Sequence, residues 1–142
     1  MNPFDFFDEI FCINLDSRPD RWDSFLKEAK KVGIKKRVQR FSAIVPPSED
    51  GVIGCRLSTL SIIKKAKKKN LKNFLILEDD VTFKENTLKN LSVSIAQLPK
   101  DWDMFYLGIN MRKQSFKFSQ NLVKVEGGRS THAVAYKNSV YK

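Results

Sequence analysis

The stretch FLILEDDV, residues 74–81, frames the rest of the chain. Four apolar residues, Phe74 to Leu77, run straight into Glu78, Asp79 and Asp80 before the chain returns to Val81. A short run that is apolar at every position predicts a strand covered on both faces, as in parallel sheets, rather than a half-exposed one. In open sheets of that class ligands bind beyond the carboxyl ends of the strands, which is where the three acids would stand. Adjacent carboxylates repel one another, and at the edge of a core a cation or basic side chains must offset the repulsion. Residues two apart on a strand share a face, so Glu78 and Asp80 point to one side and Asp79 to the other. Hard divalent ions such as magnesium or manganese take oxygen ligands, often one or two carboxylates completed by substrate phosphates. The plainer alternative is a solvated strand end paired with some of the 26 Lys and Arg residues.

Working outward, IFCINL at 10–15 is a second apolar run and a second strand. DSRPDRWDSFLKEAKKVG at 16–33 predicts a helix, with Ser17 near its start and Pro19 as its first residue. Trp22, Phe25, Leu26 and Ala29 fall on one face of it, and Gly33 stops it. A strand is expected in VQRFSAI, 38–44, followed by a loop in VPPSEDG, 45–51. Leu60, Ile63 and Ala66 then recur at helical spacing between Gly54 and Asn70, interleaved with lysines. Leu88, Leu91, Ile95 and Leu98 describe a helix ended by Pro99, and DMFYLG at 103–108 returns to a strand. NLVKVEG, 121–127, and HAVAYK, 132–137, are two further strands, antiparallel, with a turn at Gly127 and Gly128. Strands alternating with helices of this length predict an α/β fold of the doubly wound class with a mostly parallel sheet. The 142 residues suit one domain, 1–142, without repeat or linker, and the final YKNSVYK offers no closing element.

Lys and Arg exceed Asp and Glu by ten, a balance that attracts polyanions in general. KKAKKK, 64–69, reads as the solvated face and last turn of a helix rather than a nucleic-acid patch, and no nucleic acid is expected as partner. No apolar run approaches the ~18–20 residues of a membrane span, and MNPFDFFDEIF lacks the features of a signal peptide. The expectation is a soluble, unexported, cytoplasmic protein, whose charge is compatible with peripheral association at a membrane surface. Cys12 and Cys55 have neither metal nor redox spacing and read as small buried apolar side chains, with no support for a disulfide.

Five stretches in order carry a resemblance: INLDSRPDRW at 13–22, GCRLSTLSIIKKA at 54–66, LILEDDV at 75–81, LPKDWDMFYLG at 98–108 and THAVAY at 131–136. Together they resemble glycosyltransferase family 25, which includes lipooligosaccharide and collagen galactosyltransferases. The resemblance implies a GT-A type fold, a UDP-sugar donor, usually UDP-galactose, and Mn2+ or Mg2+ held at a DXD-like motif. Glu78, Asp79 and Asp80 occupy that motif, with Glu78 and Asp80 as metal ligands and Asp79 beside the donor. Asn14, Leu15, Arg18 and Arg21 are the donor-side candidates, because a guanidinium matches phosphate oxygens with paired hydrogen bonds. Ser58 is retained in LST, where the family commonly has LSH, so Thr59 replaces an imidazole. Asp80, Asp103 and His132 are the catalytic candidates: Asp80 through the metal, Asp103 as a carboxylate equally readable as part of a turn, and His132 at the donor sugar or acceptor. The implied reaction transfers a hexose to a saccharide or hydroxylysine-type hydroxyl with inversion. The family continues well beyond Lys142, so the alternatives are a truncated remnant that only binds nucleotide, or a basic binding module.

Overall fold

The computed structural model describes residues 1–142 except Arg112 and Gln114. Strand β1, Glu9–Asn14, leads to helix α1, Pro19–Lys31, and back to strand β2, Val38–Ser42. Helix α2, Gly51–Lys68, then leads to strand β3, Asn73–Glu78. Helix α3, Thr87–Ala96, precedes strand β4, Met104–Met111. The short strands β5, Phe116–Lys117, and β6, Val123–Lys124, form a separate ribbon before the long strand β7, Gly128–Lys137.

The main sheet has the order β2-β1-β3-β7-β4. β1 pairs in parallel with both β2 and β3, whereas β7 runs antiparallel between β3 and β4. From β1 the chain crosses to β2 on one side, then passes back over β1 to β3 on the other. Crossovers of one hand that leave in opposite directions put their helices on opposite faces, and the buried clusters follow that rule. Phe25 and Ala29 of α1 and Leu91 of α3 pack with Ile10, Cys12, Leu75 and Leu77 on one face. Ile62 and Ala66 of α2 pack with Phe11, Phe74 and Ile76 on the other. The alternation along β1 and β3 sorts these sets, as the pleat requires.

Several boundaries differ from the sequence reading. The residue before α1 is Arg18, not Ser17, and its side chain caps nothing. Gly33 does follow α1, at φ +76, a left-handed conformation that costs glycine nothing. α2 begins at Gly51 because the Asp50 carboxylate accepts from the Val52 and Ile53 amides, so part of the expected loop is helix. The strand expected at 121–127 is only two residues long, since it pairs with Phe116–Lys117 instead of joining the main sheet. Gly128 opens β7 rather than turning the chain. A closing element exists after all: the 3-10 turn Asn138–Tyr141 stacks Tyr141 on Phe74 and donates its hydroxyl to the Leu71 carbonyl. Cys12 is buried as expected, but Cys55 is exposed, and both are free thiols. No helix among the described residues is long and apolar enough to cross a membrane.

Candidate functional site

The crevice of a doubly wound sheet opens where successive crossovers diverge, here between the carboxyl ends of β1 and β3. Those ends carry Asn14 and Glu78. β3 stops at Glu78, and the chain reverses through a tight turn in which the Val81 amide donates to the Glu78 carbonyl at 3.2 Å. Asp79 and Asp80 are the corner of that turn.

The pleat divides the three acids between the two faces. Asp79 points to the α1 side, where Arg21 pairs with its Oδ1 at 2.7 Å and Asn14 Nδ2 donates to its Oδ2 at 2.8 Å. Arg21 also reaches Asp80 Oδ2 at 3.4 Å. Asn14 is only 1% exposed, so its amide is committed entirely within the protein. Its Nδ2 also donates to the Arg18 carbonyl at 3.1 Å, while its Oδ1 accepts from Arg40 Nε at 2.9 Å. Arg40 continues to Asp16 at 2.7 Å, and Ser42 Oγ donates to the same Asp16 oxygen. These two contacts, Ser42 foremost, hold the Asp16 carboxyl below its ordinary range.

Glu78 leans to the α2 side and meets His132 of β7. The register pairs Leu77 with Ala133, which puts His132 beside the last residue of β3. One ligand atom from each of Glu78, Asp80 and His132 lies within 4.8 Å of the others. His132 Nδ1 and Glu78 Oε2 are 3.6 Å apart, too far for a hydrogen bond. At metal–oxygen distances of about 2.1 Å, neighbouring ligands of an octahedral ion stand ~3.0 Å apart and opposite ones ~4.2 Å. The 3.6 Å between His132 and Glu78 falls between those two values, while the 4.8 Å limit on the trio exceeds the larger, so a shared ion would draw the side chains slightly inward. Two carboxylates with one imidazole also form a mixed oxygen and nitrogen donor set of the kind that divalent ions accept. Burial, then the nearby Asp80 charge, pushes the Glu78 carboxyl up, against a smaller lowering by His132. A cation would relieve that cost.

Glu78 closes one end of a small pocket that also touches Ile13, Cys55, Thr59 and Tyr136. Cys55, Thr59 and Tyr136 recur along a groove of about 310 Å³ with Arg56, Leu60, Ile63 and Thr131, large enough for part of a small ligand. Burial raises the Tyr136 hydroxyl to about 12, so it remains a neutral hydrogen-bond group. Thr59, where the resembling family commonly has histidine, lines both this groove and the small pocket that Glu78 touches.

The remaining candidates are placed as follows. Leu15 is exposed at the rim after β1. Arg18 is exposed but already forks onto Asp20, at 3.0 and 2.9 Å, and this holds Asp20 down at about 2. Ser58 is fully buried: its hydroxyl donates to the Gly54 carbonyl at 2.8 Å and accepts from the Ile44 amide at 2.9 Å. That clamp fastens α2 to the loop after β2, and a side chain at Gly54 would meet the Ile44 oxygen at 2.6 Å. Asp103 precedes β4 at the end of the sheet opposite Glu78, where it accepts from Ser139 at 2.6 Å. Sequence reasoning missed Arg40, Cys55 and Tyr136. Only sheet order and helix facing bring them to this place, and no motif spacing signals it.

The match to known proteins falls on this same region. Residues 49–140 fit the model of "Glycosyltransferase family 25 (LPS biosynthesis protein)". The chain belongs to glycosyltransferase family 25. Human procollagen galactosyltransferase 2 is 31% identical to it, over 72% of this chain and 21% of that protein. Human inactive glycosyltransferase 25 family member 3 is 33% identical, over 76% of this chain and 22% of its own length. Zebrafish (Danio rerio) procollagen galactosyltransferase 1 is 26% identical over 72% and 21%. The family 25 chain thus spans about a fifth of the length of the curated relatives it matches. β3, β7 and all of α2 fall within the residues matched to the family, whereas β1, α1 and β2, which bring Asn14, Arg21 and Arg40, precede them.

Proposed function

We propose that residues 1–142 form a GT-A type domain that binds a UDP-hexose, UDP-galactose by preference, with Mn2+ or Mg2+, for transfer to a glycan or hydroxylysine-type hydroxyl. The observation that carries this reading is the grouping of Glu78, Asp80 and His132 at the switch point of the sheet. A divalent ion bound there would supply positive charge for the diphosphate that leaves when the glycosidic bond is exchanged. The chain's own residues give that site its rigidity. Asn14 and Arg21 hold Asp79, which fixes the turn and so the direction in which Asp80 projects. Arg18, at the exposed rim, is the candidate for phosphate contact, by exchanging Asp20 for the ligand. An inverting transfer needs a carboxylate opposite the leaving group, and this reading gives that role to no residue of the chain.

The test is calorimetric titration with UDP, with and without Mn2+, on the wild type and Asp80→Asn. The reading expects affinity that depends on the metal and falls at least tenfold in the variant. Metal-independent binding, or none, overturns it. A second reading has a specific support: Thr59 stands in the groove where the family commonly has histidine, and a relative of similar identity is named inactive. Under it the domain binds nucleotide but transfers nothing. UDP release from UDP-galactose and Mn2+, above the rate of Asp80→Asn, excludes that second reading.

A further inference from the structure

Helix α2 has two faces that do different work. Gly54, Ser58, Ile62 and Ala66 recur every fourth residue and are buried against the sheet. Opposite them, Ile53, Leu57, Leu60 and Lys64 follow one another outward at helical spacing. Ile53, Leu57 and Leu60 are 42%, 39% and 47% exposed, and Val52 in the first turn is 62% exposed. Single exposed apolar residues are ordinary; four large ones along two and a half turns of one helix are not. Arg56, Lys64, Lys67 and Lys68 accompany them on the outer face, all exposed, and the helix contains no acid in its 18 residues. Among the described residues none of these four cations enters an ion pair, whereas the neighbouring Lys69 pairs with Glu9.

We propose that the outer face of α2 seats this protein on an anionic lipid bilayer. The chemistry selects that occupant. A polyanion such as nucleic acid would use the lysines and arginine but leave Ile53, Leu57 and Leu60 in water. A purely apolar partner surface would leave four unpaired cations at its edge. An anionic bilayer accepts both, taking apolar side chains below the headgroups while Lys and Arg stay at the phosphates. The lysines gather at the carboxyl end of the helix, where they also oppose its dipole, so the seat is apolar at one end and basic at the other. Arg56 and Leu60 of this face also line the groove, together with Cys55 and Thr59 on the flank of the helix, so docking would hold that groove at the headgroup layer.

Co-sedimentation with phosphatidylcholine vesicles, with and without phosphatidylglycerol, tests the assignment on the full chain. Binding is expected only where phosphatidylglycerol is present. Leu57→Gln with Leu60→Gln should weaken it about tenfold or more, through the lost apolar burial. Lys64→Gln with Lys67→Gln and Lys68→Gln should weaken it on the order of a hundredfold, at about fivefold per lysine, and added salt should act in the same direction. Glutamine is a good helix former at exposed positions, and far-ultraviolet circular dichroism verifies that each variant folds. Absence of binding to phosphatidylglycerol vesicles overturns the proposal. So does binding that the leucine pair leaves unchanged, which would be charge attraction alone. Self-association abolished by the leucine pair, without vesicle binding, would assign the face to a second copy of the chain and equally overturn it.

Discussion

Replacing Asn14 tests whether the acidic turn is held from beneath. The side chain makes three hydrogen bonds inside the protein, two of them to charged partners, Asp79 and Arg40. Bonds to charged groups contribute ~1.5–3 kcal/mol each and a neutral one about 1 kcal/mol, so their plain sum is ~4–7 kcal/mol. The sum overstates the loss in Asn14→Ala, since Asp79 keeps Arg21, and Arg40 keeps Asp16 and the main-chain oxygen of residue 14. A loss of about 3 kcal/mol is expected. Asn14→Asp separates geometry from charge. It retains an acceptor for Arg40 but sets a second carboxylate where Nδ2 now donates to Asp79 at 2.8 Å. Two such charges ~3 Å apart repel by about 5 kcal/mol at an effective dielectric of 20, partly offset by Arg40. Sharing a proton relieves the repulsion, so the pair's folded pKa rises above the unfolded carboxylate value. The variant's deficit is then largest at neutral pH and shrinks as pH falls through that raised value. Urea unfolding of the wild type and both variants between pH 5 and pH 7.5 measures this. A loss below about 1 kcal/mol in Asn14→Ala, or a pH-independent deficit in Asn14→Asp, would refute the argument that Asn14 supports Asp79.

Glu78 has a carboxyl raised by burial and by Asp80, so its ionisation opposes folding. Its favourable, protonated contribution is complete below the unfolded glutamate pKa of about 4.3 and is lost as pH rises through the raised folded value. Glu78→Gln should therefore raise Tm at pH 7 and give no gain below pH ~4, while abolishing any stabilisation of the wild type by Mn2+, as read by thermal denaturation with and without the ion. An unchanged or lower Tm at pH 7 would contradict the assigned cause. Ser58→Ala leaves the Ile44 amide without its acceptor and should cost ~1–3 kcal/mol in urea unfolding with UDP affinity unchanged. Weakened UDP binding at unaltered stability would restore Ser58 as a nucleotide contact.

Much of the site was legible from local pattern, because the rules involved act over short separations. The apolar run into Glu78 placed a strand end, and the period of two separated Asp79 from its neighbours before any fold was known. Pro19 and Gly33 bracketed α1 to within a residue or two, since each restricts the backbone at its own position. Ser58 and Asn14 share a feature that the sequence did not reveal. Polar residues in a motif look available, and only the packing revealed that both side chains were already committed indoors. Cys55 failed in the opposite direction, on the open flank of α2. The strand expected at 121–127 had enough apolar residues but lacked a neighbour in the main sheet.

By itself the sequence determined that two buried strands would end in polar and acidic residues, with a helix after each apolar run and the acids divided between two faces. Periodicity and backbone restriction suffice for that. Only the tertiary structure decided that β7 enters antiparallel between β3 and β4, and so that His132 arrives beside Glu78, 54 positions earlier in the chain (132 − 78). Strand order is chosen by which apolar faces can be covered together across the whole sheet, and no window of residues contains that information.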